Sequence, residues 1–134
     1  MTATPSPLVR SMIVCEDIIA DPRNPNRISL VNLVHSIRSL ATPPYPLQHA
    51  RLCLFMQLTE GRGTGKVRVA IQDADTEAII FQTRPRAVSF SGDPLAVYGC
   101  KFRFRRITFP KRGLYWIQFW YDNDMLAQLP IILR

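Results

Sequence analysis

Leu114-Tyr115-Trp116-Ile117-Gln118-Phe119-Trp120-Tyr121 is the stretch on which the fold turns. At a period of two, Tyr115, Ile117, Phe119 and Tyr121 fall on one side and Trp116, Gln118 and Trp120 on the other. That alternation marks a strand with one buried face. The set carrying Ile117 and Phe119 is expected in the core. The other set carries Gln118, whose amide needs hydrogen-bond partners wherever it is enclosed. Trp116 and Trp120 are then left on an outer sheet face.

The same period extends outward in both directions. Upstream, Pro110-Lys111-Arg112-Gly113 is a tight turn, preceded by the run Val97–Phe109, where Lys101, Arg103 and Arg105 alternate with Phe102 and Phe104. Arg106 falls on the inward side of that alternation, which predicts a bulge near Ile107. Downstream, Asp122-Asn123-Asp124 turns into Met125–Leu133. The remaining strand runs are Arg10–Ala20, Arg27–Ser39, Ala50–Glu60, Lys66–Asp73, Glu77–Thr83 and Ala87–Phe90, separated by Pro, Gly, Asp and Asn clusters. No segment carries a helical stripe longer than two turns. About nine strands with little or no helix predict an all-β, two-sheet antiparallel β-sandwich. Its core is expected to hold Val67, Val69, Ile71, Phe102, Phe104, Tyr115, Ile117 and Phe119.

A chain of 134 residues is enough for one domain, assigned to residues 10–134 behind a loose arm over 1–9. Hydrophobic residues make up 47%, which argues against disorder. The 11 prolines and 6 glycines do not suit collagen or a coiled coil. The first residues lack the pattern of a signal peptide, and no apolar run approaches a membrane helix. Cys15, Cys53 and Cys100 are odd in number and far apart, so they read as small hydrophobes in a reducing cytoplasm rather than as disulfide or zinc partners.

The punctuation as a set carries a resemblance: Glu16-Asp17 in the first strand, Arg27-Ile28-Ser29-Leu30-Val31-Asn32-Leu33, Pro43-Pro44-Tyr45-Pro46 leading into His49-Ala50-Arg51-Leu52, Asp93-Pro94-Leu95, and Phe109-Pro110-Lys111-Arg112-Gly113-Leu114-Tyr115 before the terminal hairpin. Over roughly residues 12–134 the chain resembles a family of short, stand-alone bacterial proteins of unknown function with an immunoglobulin-like β-sandwich. The resemblance implies that fold and a bacterial cytoplasmic setting, and carries no catalytic residue.

Chemistry is sparse. Gly61-Arg62-Gly63-Thr64-Gly65-Lys66 lacks the spacing and the following helix of a phosphate loop and reads as a hairpin loop. His35 and His49 have no Cys, Asp or Glu at zinc-ligand spacing. No enzyme, cofactor or metal is expected. With strands reversing at each turn, Asp73, Asp75, Asp93, Asp122 and Asp124 are expected at one end. Arg62, Arg84, Arg86 and Arg112 are expected at the other, as an anion-binding end. Acidic loops gathered together would suit calcium, although Asp is also an ordinary turn former.

The runs Val97–Phe109 and Leu114–Tyr121 share a short turn and are expected to be neighbours. Their outward residues would form one face of Lys101, Arg103, Arg105, Trp116, Gln118 and Trp120. Arg and Trp dominate protein interfaces and also serve single-strand nucleic-acid platforms. The leading expectation is therefore a non-enzymatic module binding a protein partner, or a second copy of itself, through this face. A nucleic-acid or polyanion binder is the alternative, favoured by 17 Lys+Arg against 10 Asp+Glu, and a calcium-dependent module is a third.

Overall fold

The computed structural model describes residues 5–134. Ten strands form: β1 Leu8–Asp21, β2 Asn24–Leu33, β3 Ser36–Ile37, β4 Leu47–Thr59, β5 Thr64–Asp73, β6 Ile79–Gln82, β7 Arg86–Ser89, β8 Tyr98–Phe109, β9 Gly113–Tyr121 and β10 Asp124–Leu133. There is no helix among the described residues. One sheet has the order β2-β1-β4-β8, the other β3-β10-β9-β5-β6, with β7 also pairing β5. All pairings are antiparallel except β3 with β10.

The period-two pattern places the core as expected. Val67, Val69, Ile71, Phe102, Phe104, Tyr115, Ile117 and Phe119 are all buried in one cluster contributed by both sheets. Phe102 meets Phe119 edge-on, and Phe109 meets Tyr115 edge-on, with ring centroids 6.1 and 5.1 Å apart. These pairs clamp sheet to sheet, since edge-to-face rings add attraction beyond the area they bury. The Tyr115 hydroxyl donates to the Lys111 carbonyl at 2.7 Å, which fastens the β8–β9 turn. At Gly65 a Cβ would collide with the Tyr121 ring and hydroxyl, so only glycine lets that ring pack against β5.

Four expectations change. Strand pairing begins before residue 10: Leu8 and Val9 already pair with Thr59 and Leu58, while residues 1–4 of the expected arm lie outside the described residues. The run Arg27–Ser39 divides into β2 and β3, which sit in different sheets. β6 and β7 pair the two halves of the same strand, β5, and so form one broken edge rather than two strand positions, interrupted at Thr83-Arg84-Pro85. Finally, β8 and β9 are not neighbours in a sheet. Pro110-Lys111-Arg112 carries the chain from one sheet to the other. Such a turn can bridge the ~10 Å between sheets as well as the ~5 Å between paired strands.

The bulge expected near Ile107 does not form, because the β4–β8 register is unshifted across it; the phase breaks instead at one left-handed residue, Arg106, whose φ is 57°. Pairing skips from Arg51↔Arg105 to His49↔Ile107, and beyond it Ile107 and Phe109 point into the core. The inward phase of β8 thus reverses at one left-handed residue, and Arg106 stays exposed.

Candidate functional site

Because β8 and β9 lie in opposite sheets, the expected composite face does not exist. Lys101, Arg103 and Arg105 project from the outer side of one sheet, and Trp116, Gln118 and Trp120 from the outer side of the other. The core lies between them.

The tryptophan face is an internally satisfied array. Gln118 is 6% exposed. Its Nε2 donates to Gln72 Oε1 at 3.0 Å and to Gln128 Oε1 at 3.4 Å, while its Oε1 accepts from Trp120 Nε1 at 3.3 Å. The Arg68 guanidinium lies 4.4 Å over the Trp120 ring, a cation–π contact. The residue used to choose the strand's inward face is therefore buried after all, under its own neighbours on the outer face. Around this array Leu114, Met125 and Ile132 are exposed.

The arginine strand gains different company. β8 is the free edge of its sheet, and the broken β6–β7 strand is the free edge of the other. Between them opens a cleft of about 190 Å³ lined by Thr83, Arg84, Arg86, Lys101, Phe102, Arg103 and Phe104. The lining holds Arg84, Arg86 and the β8 backbone around Lys101 and Arg103, and no carboxylate. Arg86 lies 4.5 Å over the Phe102 ring and donates from Nη1 to the Lys101 carbonyl at 3.1 Å, satisfying an open-edge acceptor. Arg103 donates from Nη2 to the Ile18 carbonyl at 2.8 Å.

On the same outer side, Arg105 stands directly opposite Arg51 in the β4–β8 register. Like charges opposite one another across a sheet are unfavourable, and only Arg51 has an acidic partner, Asp17 at 3.6 Å. Two expected groups, one from the strand alternation and one from the loops, therefore converge on one basic margin: Lys101, Arg103 and Arg105 with Arg84 and Arg86. Sequence reasoning missed this because it counted β6 and β7 as separate strands. Pro85 was the available signal, since proline inside a run demotes it to an edge or a break.

The expected charge polarity along the strands is not present. Asp73 and Asp75 lie at the end carrying the β8–β9 turn, where Lys111 Nζ sits 3.5 and 3.3 Å from their carboxylates. Asp93, Asp122 and Asp124 lie at the opposite end, as does Arg62, while Arg84 and Arg86 lie along the broken edge and Arg112 beside Lys111. The cause is strand parity: one edge counted twice reverses the direction of every later turn. The acids act locally. Asp122 accepts from Lys66 N and Asp93 from Leu95 N, both at 2.9 Å. Among the described residues no three metal-ligating side chains gather, so the acidic turns do not form the calcium end the sequence suggested. Asp73 accepts from the Asp75 and Thr76 amides. Those bonds, with help from Lys111, hold its carboxyl below the ordinary value of 3.8.

Cys15, Cys53 and Cys100 are free and buried. Desolvation pushes all three thiols above their ordinary value of 9.0. They are protonated at neutral pH and lack the thiolate character of a nucleophile.

No curated protein matches the chain in sequence. Among solved structures, the fold is similar to part of the Pseudomonas fluorescens alkylpurine DNA glycosylase AlkC bound to DNA containing an abasic site analog. The TM-score is 0.58 and the identity 12%, over 98% of this chain and 31% of that one. At that identity the likeness speaks to the fold alone, and the chain spans under a third of the glycosylase's length. The profile of a family of unknown function, DUF6941, matches residues 11–134, and the chain belongs to that family.

Proposed function

We propose that this protein is a non-enzymatic module that binds the phosphate backbone of a nucleic-acid strand along its basic margin. The observation that carries the reading is the cleft between the β8 edge and the broken β6–β7 edge, with Arg84, Arg86 and Lys101 in its lining and no carboxylate. At about 190 Å³ it is smaller than the ~300 Å³ and upward of small-molecule pockets, a size for a phosphate group rather than a whole metabolite. Phe102 and Phe104 are core residues, so their rings are not free to stack on bases. Contacts of this kind position a backbone without reading its sequence. The net charge of +7 supports the same partner. Three free thiols suit a reducing cytoplasm as the setting.

The test is fluorescence anisotropy with a labelled single-stranded DNA oligonucleotide across a salt series. Affinity is expected to fall steeply with salt. The Arg84→Ala, Arg86→Ala double variant is expected to lower the log–log slope by about one for each phosphate it no longer neutralises. A salt-independent affinity, or a slope unchanged in the double variant, overturns the reading.

A second reading, a protein contact or self-association, rests on the opposite face, where exposed Leu114, Met125 and Ile132 surround the half-buried Trp116 and Trp120. It uses only the tryptophan half of the face expected from the sequence.

A further inference from the structure

β1 and β4 pair from Leu8↔Thr59 to Cys15↔Cys53 and then part. Beyond Cys15, β1 continues with β2 alone, and β4 continues with β8 alone. The parted half of the β1–β2 hairpin leans over the outer face of β4, where Ile18, Ile28 and Leu30 pack with Cys15, Cys53 and Phe55. The result is a fork. Over Leu47–Leu52 the edge of β4 that faces β1 has no strand paired to it among the described residues. Strand edges with unpaired N–H and C=O groups are templates for another strand.

The fork is concave and chemically furnished. A hollow of about 360 Å³ is lined by Glu16 and Asp17 of β1, Val31 of β2, and His49, Ala50 and Arg51 of β4. Its lining carries two carboxylates and one guanidinium, and Arg103 reaches its far side at the Ile18 carbonyl. Asp17 is committed on both oxygens, to the Ile18 amide at 2.8 Å and to Arg51 at 3.6 Å. Glu16 spends one oxygen on Asn32 Nδ2 at 2.9 Å. Glu16-Asp17 and His49-Ala50-Arg51 lie more than thirty residues apart in sequence, and the fork is where the topology joins them.

We infer that the fork is a peptide-binding site, distinct from the basic margin. An extended segment adds as a strand along the free edge of β4 over Leu47–Leu52, and a Lys or Arg side chain of that segment rests on Glu16 and Asp17. Strand addition draws affinity from main-chain hydrogen bonds and specificity from the pockets beside them. Here the pocket selects a cation, because its lining carries two carboxylates against one guanidinium.

The probe is the blocked peptide acetyl-Thr-Val-Lys-Val-Thr-amide, titrated into the ¹⁵N-labelled full chain and followed by amide shifts and hydrogen exchange. Shifts are expected at the amides of residues 16–18 and 48–52, with slowed exchange over 48–52. Replacing the peptide lysine by glutamate, or N-methylating its backbone, should weaken binding by about tenfold or more, since each removes a charge contact or strand hydrogen bonds. A Glu16→Gln, Asp17→Asn double variant should lose the lysine preference while its oligonucleotide affinity stays unchanged. Free lysine binding as well as the peptide, equal binding of the N-methylated peptide, or shifts elsewhere would each overturn the proposal. Loss of oligonucleotide binding in the Arg84→Ala, Arg86→Ala variant, with peptide binding intact, keeps the two sites separate.

Discussion

Phe104 shows what a single residue contributes to this sandwich. It is 3% exposed, and its ring meets Phe81 edge-on at 5.2 Å, joining β8 to the broken edge opposite. Phe104→Ala should destabilise the protein by about 3–5 kcal/mol, the usual range for a core phenylalanine. Urea unfolding checks this, and a loss under about 1 kcal/mol would mean that this margin of the core collapses to fill the space. Asp73 makes a different contribution. Its carboxyl is held below 3.8 by the turn amides and Lys111. A depressed acid stabilises the fold above its unfolded value, and that stability is lost as pH falls through the lower folded value. The melting temperature should therefore drop on acidification below about pH 4, and should drop less steeply in Asp73→Asn. Parallel curves for the two proteins would show that the turn contributes nothing to the acid transition.

Strand β9 illustrates how much an element's sequence can specify. Its alternation put Tyr115, Ile117, Phe119 and Tyr121 inward, and all four are buried. It could not show which sheet lies across the turn. The inward faces of β8 and β9 are both apolar whether the strands are side by side or face to face, so pattern alone cannot separate the two arrangements. The Trp116→Ala, Trp120→Ala double variant tests the consequence. It should remain folded, because the core lies on the other side of β9, and its oligonucleotide affinity should match the parent, because the basic margin runs along the β8 and β6–β7 edges and not over the outer face of β9. Sedimentation with and without the substitutions tests self-association through this face: loss of a dimer supports it, and an unchanged monomer counts against it. Reduced oligonucleotide affinity would restore a shared Arg–Trp surface.

At the scale of the whole molecule, the informative places are where strand pairing stops. Both open margins follow from interruptions: the edge broken at Thr83-Arg84-Pro85, and the fork where β1 leaves β4 after Cys15. Closed regions of the sandwich bury their polar backbone in ladders. At these two places the fold leaves concave, unpaired margins with charged residues in their lining. Their opposite charge predicts opposite partners, a phosphate backbone at one and a cationic strand at the other.

Strand locations, inward faces and the sandwich class were legible in the chain alone, because burial on one face imposes a period of two that survives in any arrangement of the strands. A break of phase at Arg106 could be read, since a cation cannot share the inward phase with Phe102 and Phe104, but the expected bulge could not: the register is unshifted and one left-handed residue makes the break. What the chain alone could not supply was adjacency between strands. A three-residue turn reaches either the next strand or the opposite sheet, and two short runs around Pro85 look the same whether they make two strands or one broken edge. Adjacency is settled by how the whole apolar surface packs, and adjacency is what parted Arg103 from Trp116, gathered Arg84 and Arg86 beside Lys101, and set Glu16-Asp17 against His49-Ala50-Arg51.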